Sequence, residues 1–171
     1  VELAGRGVVS GFRDAHGDPT GLFKPAAHVT IAEMLKMSLL SAGKTLTPAA
    51  PRNRSARGDW SAPYVATAET LRLSLFTSPA LRVQADATRG QVIQTLLESF
   101  SLPLRKATPG LYRDLPISSR YADAIATATA LGILSGDTDA AGKPTGTVRP
   151  NDPINRAEVA KIVTLTRNLK K

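Results

Sequence analysis

The sequence predicts an all-α fold, and three observations predict it. First, the tetrapeptides T-I-A-E, T-R-G-Q and N-R-A-E begin at positions 30, 88 and 155. In that pattern two side chains satisfy amides that a helix start leaves open. Second, each box leads an apolar run recurring every three or four residues, the helical period. Third, no segment alternates apolar and polar residues far enough to make a strand. R-V-Q-A-D-A and T-V-R-P are at most extended loop.

The plan also repeats. Gly11 to Thr30 and Gly136 to Asn155 span the same 19 positions. In that frame Ser10-Gly11 matches Ser135-Gly136, Pro19-Thr20-Gly21 matches Pro144-Thr145-Gly146, and Lys24-Pro25 answers Arg149-Pro150. Identities at one fixed offset mark an internal repeat. Three helix–loop–helix units follow: 1–43, short at its start; 44–102, a linker and a degenerate copy; and 103–171, a linker and the fullest copy.

In order, residues 1–10 read as the tail of a first helix, and 11–29 as a Gly/Pro loop. Thr30 to about Ala42 reads as a helix, capped by Thr30 with Glu33, stapled by Val29 with Met34, and ended by Gly43. Residues 44–63 hold three prolines and read as linker. Asp59 and Trp60 open the second unit, Asp59 with Tyr64 echoing Asp114 with Tyr121. Residues 64–76 read as its first helix. The Thr88–Gln91 box leads the next, with Val92, Ile93, Leu96, Leu97 and Phe100 inward. Pro103 to Gly110 is a second linker. Tyr121, Ile125, Ala128 and Gly132 stripe the following helix. The last is capped by Asn155 with Glu158 and turns Val159, Ile162, Val163 and Thr166 inward. Lys170 and Lys171 suit its C-terminal dipole.

Composition narrows the function. At 42% hydrophobic, the 171 residues can build a packed core. With no cysteine, disulfides, thiolate zinc sites and cysteine nucleophiles are excluded. No apolar run nears the roughly 20 residues of a membrane span, and V-E-L-A-G-R-G lacks the pattern of a signal peptide. The net charge of +8 fits either solubility or an anionic polymer as partner. The basic residues are scattered apart from Arg52, Arg54 and Arg57, and no aromatic-interleaved basic strand marks a nucleic-acid platform. D-T-D-A-A-G at 137 resembles a calcium loop, but its twelfth position is Val148 where a carboxylate is needed. No serine-hydrolase, zincin or paired-carboxylate pattern is present. The expectation is a non-enzyme without cofactor or metal.

The boxes carry one feature that capping does not explain. A cation in the first helical turn opposes the macrodipole, yet Arg89 and Arg156 stand there. A guanidinium beside open backbone amides would grip a carboxylate or phosphate. Otherwise the arginine is solvated or pairs with a carboxylate such as Asp59 or Asp114. Ile31 lacks the charge, so the first copy should lack such a site. Asp114 and Asp59 either cap helices or meet the ligand. Trp60 stacks on a sugar ring or packs in the core. Gly136 allows close approach or ends a helix, and Glu158 is capping residue and groove neighbour at once.

These residues resemble the S-layer homology family. The third unit carries Y-R-D-L, Y-A-D-A-I, L-G-I-L-S-G, V-R-P-N-D-P-I and N-R-A-E-V-A-K-I-V. The first carries V-V-S-G, L-F-K-P and V-T-I-A-E, and the second D-W, Y-V and A-T-R-G-Q. The resemblance implies repeats in a pseudo-threefold arrangement around a central helical bundle. It implies a secreted bacterial cell-surface protein held noncovalently to an anionic cell-wall glycan, often pyruvylated, in grooves between repeats. Carried over, Arg156 and Arg89 bind the ligand, with Asp114, Asp59, Trp60, Gly136 and Glu158 around them. Ile31, and Gly90-Gln91 in place of A-E, depart from the pattern. The alternative function is an assembly module that self-associates in a surface layer without touching glycan. Neither reading involves nucleic acid or membrane insertion.

Overall fold

A computed structural model describes His16 and residues 23–169. The expected first-helix tail, most of the first loop and the terminal lysines lie outside those residues. Among the described residues there are five α-helices and no strand: α1 (Ile31–Ser41), α2 (Ala62–Thr70), α3 (Arg89–Ser99), α4 (Ala122–Ala130) and α5 (Arg156–Asn168). Short 3-10 turns cover Arg54–Ala56 and Ser74–Thr77.

The three capping boxes all form, with each cap side chain and its partner three residues on bonding reciprocally. Helices α1, α3 and α5 contact one another, while α2 packs on α1 and α4 on α3. Met34, Leu35, Leu39, Ile93, Leu96, Leu97 and Ile125 fill the space between them, all at or below 1% exposure. Burying a side chain of that size contributes about 1.5–3 kcal/mol.

Helix ends are set by one device. After Ala42, Leu71, Phe100 and Leu131 the chain takes a positive φ at Gly43, Arg72, Ser101 and Gly132. The next amide then reaches five residues back, as Leu73 does to Ala68 and Ile133 to Ala128. This corrects two expected boundaries. The helix expected over 64–76 begins at Ala62 and ends at Thr70, because Arg72 at φ 56 does the work of a glycine. Likewise Gly136 ends no helix, since Gly132 at φ 69 already closes α4.

The segments before α1, α3 and α5 are stitched in a closed ring. Val29 donates its amide to Ile154, Ile154 to Ala87, and Ala87 back to Val29, at 2.8–3.1 Å. Bridges join His28 to Asn155, Thr30 to Asp86 and Thr88 to Pro153. The side chains of Val29, Ala87 and Ile154 at this ring are fully buried. The stretches R-V-Q-A-D-A and T-V-R-P form no strand, and of them only Asp86 makes a bridge, to Thr30. Lys24 and Arg149, matched by the sequence repeat, share the same left-handed backbone at φ 47 and 48.

Candidate functional site

The ring brings the three helix starts together, and with them Arg89, Arg156 and Glu158. An α-helix leaves its first amides unsatisfied, and here every one is accounted for. At α1, Thr30 donates to Glu33 Oε2 and Glu33 to Thr30 Oγ1. Ile31 and Ala32 donate to the carbonyls of Ala85 and Val83. At α3, Thr88 and Gln91 exchange bonds, while Arg89 and Gly90 donate to Asp152 and Pro150. At α5, Asn155 and Glu158 exchange bonds, while Arg156 and Ala157 donate to Ala27 and Pro25. The expectation of open amides beside the arginines is therefore corrected. The neighbouring segment's carbonyls have taken them.

The arginines are likewise engaged. Arg89 Nη1 lies 2.7 Å from Glu158 Oε1, and Arg156 Nη1 lies 3.2 Å from Glu33 Oε1. Their side chains are 13% and 8% exposed. Each glutamate uses its other oxygen in its own capping box. One carboxylate so serves as cap and as counter-ion, which answers why a cation tolerates the positive end of a helix. The partners are glutamates of the next box, not Asp59 or Asp114. Arg156 also lies 5.4 Å from the Phe23 ring, a cation–π distance.

One step further round the ring, Ile31 stands where Arg89 and Arg156 stand, and Gln91 where Glu158 and Glu33 stand. Both charges are missing together. A lone arginine or a lone glutamate there would be a half-buried charge without its counter-ion.

Asp114 does not cap α4. Its carboxylate accepts from the amides of Val148 and Arg149 at 2.7–3.2 Å, holding the loop that leads to the ring. In the second copy this role falls to Asn53 and Ser55, which bond Leu81 and Val83. Aligning Ala62 with Ala122 sets Asp59 opposite Ser119 and Ser61 opposite Tyr121, which corrects the expected pairing of Asp59 with Asp114. Both Asp59 and Ser119 accept the amide two residues on.

The space beside Gly136 is filled. A Cβ there would sit 2.7 Å from Tyr112 Cε1 and 3.0 Å from the Thr147 carbonyl. Gly90 is tighter still, at 2.5 Å from the Tyr121 ring. Trp60 is 53% exposed and not a core residue. It packs edge-on against Tyr64 with centroids 6.0 Å apart, and Lys36 Nζ lies 6.0 Å from its ring.

Sequence reasoning missed the cluster beside α3. Arg149 grips Asp137 with two bonds of 2.9 Å and lies 3.9 Å from Asp152. Arg149 holds the Asp137 carboxyl below the usual aspartate range, and Asp137 raises the Arg149 guanidinium in return. The charges lie 12 positions apart in the sequence and meet only because the loop folds back as a hairpin, with Thr138 bridged to Pro144. Asp139 forms its turn by accepting from Ala141 and Lys143. Among the described residues no three acidic or histidine side chains converge as metal ligands.

Residues 111–160 match the family model of the S-layer homology domain. The span takes in α4, the hairpin, Asp114 and the capping box of α5. Over that stretch the chain is similar to an S-layer homology domain. Such domains are in general structural modules that attach proteins to cell surfaces and bind cell-wall polymers. No curated protein matches the chain. Among the described residues no helix is long and apolar enough to cross a membrane.

Proposed function

We propose that the chain anchors a bacterial surface protein to an anionic cell-wall polysaccharide. The polymer, pyruvylated in one form, lies in clefts between three pseudo-threefold units spanning 1–43, 44–102 and 103–171. The observation that carries this reading is the closed ring of bonds between the three helix starts. Each start is completed by its neighbour, which supports a groove recurring where two units meet. A net charge of +8 supplies attraction for a repeating anion.

The expected ligand residues divide by job. Arg156 and Arg89, with Glu33 and Glu158, hold the cleft walls in register, and Asp114, Asp59 and Gly136 shape the loops behind them. Trp60, open to solvent, stacks on a sugar ring. Binding by the whole surface differs from capture at a helix dipole, because all the box amides are already bonded.

The test is co-sedimentation of the full chain with purified cell wall, and with wall stripped of its acidic polysaccharide. The chain is expected to pellet with the first only. Trp60→Ala should weaken pelleting about tenfold, close to 1.4 kcal/mol, with little change in melting temperature. Arg89→Ala with Arg156→Ala should lower both pelleting and melting temperature. Equal pelleting with stripped wall would reject the reading.

A further inference from the structure

The family pattern assigns ligand binding to the arginine in the first helical turn, and by that rule the start of α1, with Ile31, is dead. The charges argue otherwise. At α3, Arg89 is answered by Glu158, and Arg149 by Asp137 and Asp152. At α5, Arg156 is answered by Glu33. A guanidinium already bonded to a carboxylate gains little by exchanging it for a ligand's.

Beside α1 the account does not balance. Arg82 precedes Val83, whose carbonyl takes the Ala32 amide, as Arg149 precedes Pro150, whose carbonyl takes that of Gly90. Arg82 is exposed, and among the described residues neither it nor Arg54 makes an ion pair. Arg57 donates only to the carbonyls of Pro51 and Arg52, at 3.4 Å each. The local acids are committed elsewhere. Glu69, its side chain 8% exposed, takes the amides of Arg52 and Asn53 and the Arg52 guanidinium. Asp59 takes Ser61, and Asp86 takes His28 at 3.0 Å.

The cations also sit on a fixed frame. Asn53 Nδ2 and Ser55 Oγ bond the Leu81 carbonyl, Val83 bonds Ser55 Oγ, and Arg54 donates its amide to Pro79. Trp60, with Lys36 beside it on α1, adds an open aromatic face. A sugar ring stacks on an aromatic face, and its acidic substituent suits a guanidinium fork. A single aromatic does not make the repeated stacking platform that single-stranded nucleic acid uses.

We infer that the acidic polysaccharide is held chiefly on this face, by Arg54, Arg57 and Arg82 around Trp60 and Lys36. The inference rests on the anchoring reading and names the surface that performs it.

The experiment titrates the full chain with purified acidic wall polysaccharide, with the same polymer stripped of pyruvate or phosphate groups, and with duplex DNA. Arg54→Gln with Arg82→Gln should weaken the first at least tenfold and flatten its salt dependence, with melting temperature unchanged. Arg105→Gln with Lys143→Gln removes the same charge from exposed positions elsewhere and should shift affinity less than twofold. If the wild type fails to bind the acidic polymer, the anchoring reading itself falls. If the wild type binds and the Arg54/Arg82 variant matches it, or both double variants weaken equally, this face is not the site and anchoring stands. Equal affinity for DNA or for the stripped polymer would overturn recognition of an acidic sugar.

Discussion

The start of α1 and the starts of α3 and α5 share a backbone plan and differ in charge. All three close their amides through a capping box and two carbonyls of a neighbouring segment. Only α3 and α5 add an arginine locked to a glutamate across the ring. The backbone bonds are therefore sufficient for the architecture. The ion pair is an added layer, present with both members at α3 and α5 and with neither at α1. Ile31, with Gln91 one step on, lacks both charges.

Breaking that pairing rule should give the largest effect. Ile31→Arg loses a side chain now 3% exposed and sets a charge opposite neutral Gln91. It should destabilise by about 3 kcal/mol. Adding Gln91→Glu should recover about 1 kcal/mol, read by a double-mutant cycle in denaturant. Additive losses would mean that the two positions do not face each other.

A smaller effect sharpens the comparison at the position that follows the arginine. Gly90 occupies the place of Ala32 and Ala157, and Tyr121 the place of Ser61. Gly90→Ala should cost about 2 kcal/mol despite the better helix former, because its Cβ meets the Tyr121 ring at 2.5 Å. Tyr121→Ser alone should also destabilise, by opening a cavity. The double variant, which reproduces the Ala–Ser combination beside α1, should be less damaging than the two losses added.

The smallest effect concerns the Arg149–Asp137 pair, present beside α3 and without a counterpart at Arg82. Arg149 lowers the Asp137 pKa. Its contribution is therefore present above the unfolded aspartate value near 3.9 and is lost as pH falls through the folded one. With Arg149 half exposed, screening keeps it to about 0.5 kcal/mol. Asp137→Asn should lower the melting temperature at pH 6, and the gap to wild type should close towards pH 2.5. A constant gap would assign the loss to the hydrogen bond that Thr147 Oγ1 donates to Asp137 Oδ2 instead of the charge.

Much of this was legible in the sequence because capping is local. The three boxes, the staples and the inward stripes involve residues within five positions of each other, so side-chain chemistry alone specifies them. Boundaries were misread where a non-glycine took the left-handed turn. Arg72 carries no signal of that, and it is buried Leu73 packing behind it that makes the turn worthwhile. Trp60 stays exposed for a similar reason. Which face of a short helix is covered depends on the element packed against it.

By itself, then, the sequence determined the helices, their caps and the repeat that relates them. The tertiary structure alone decided what the arginines do. Their partners lie 69 and 123 positions away, a separation at which sequence pattern has no purchase. Once the ring closes, a carboxylate and the neighbour's carbonyls reach the helix starts first. Arg54 and Arg82, which make no ion pair among the described residues, stand beside the one helix start where Ile31 had predicted no site.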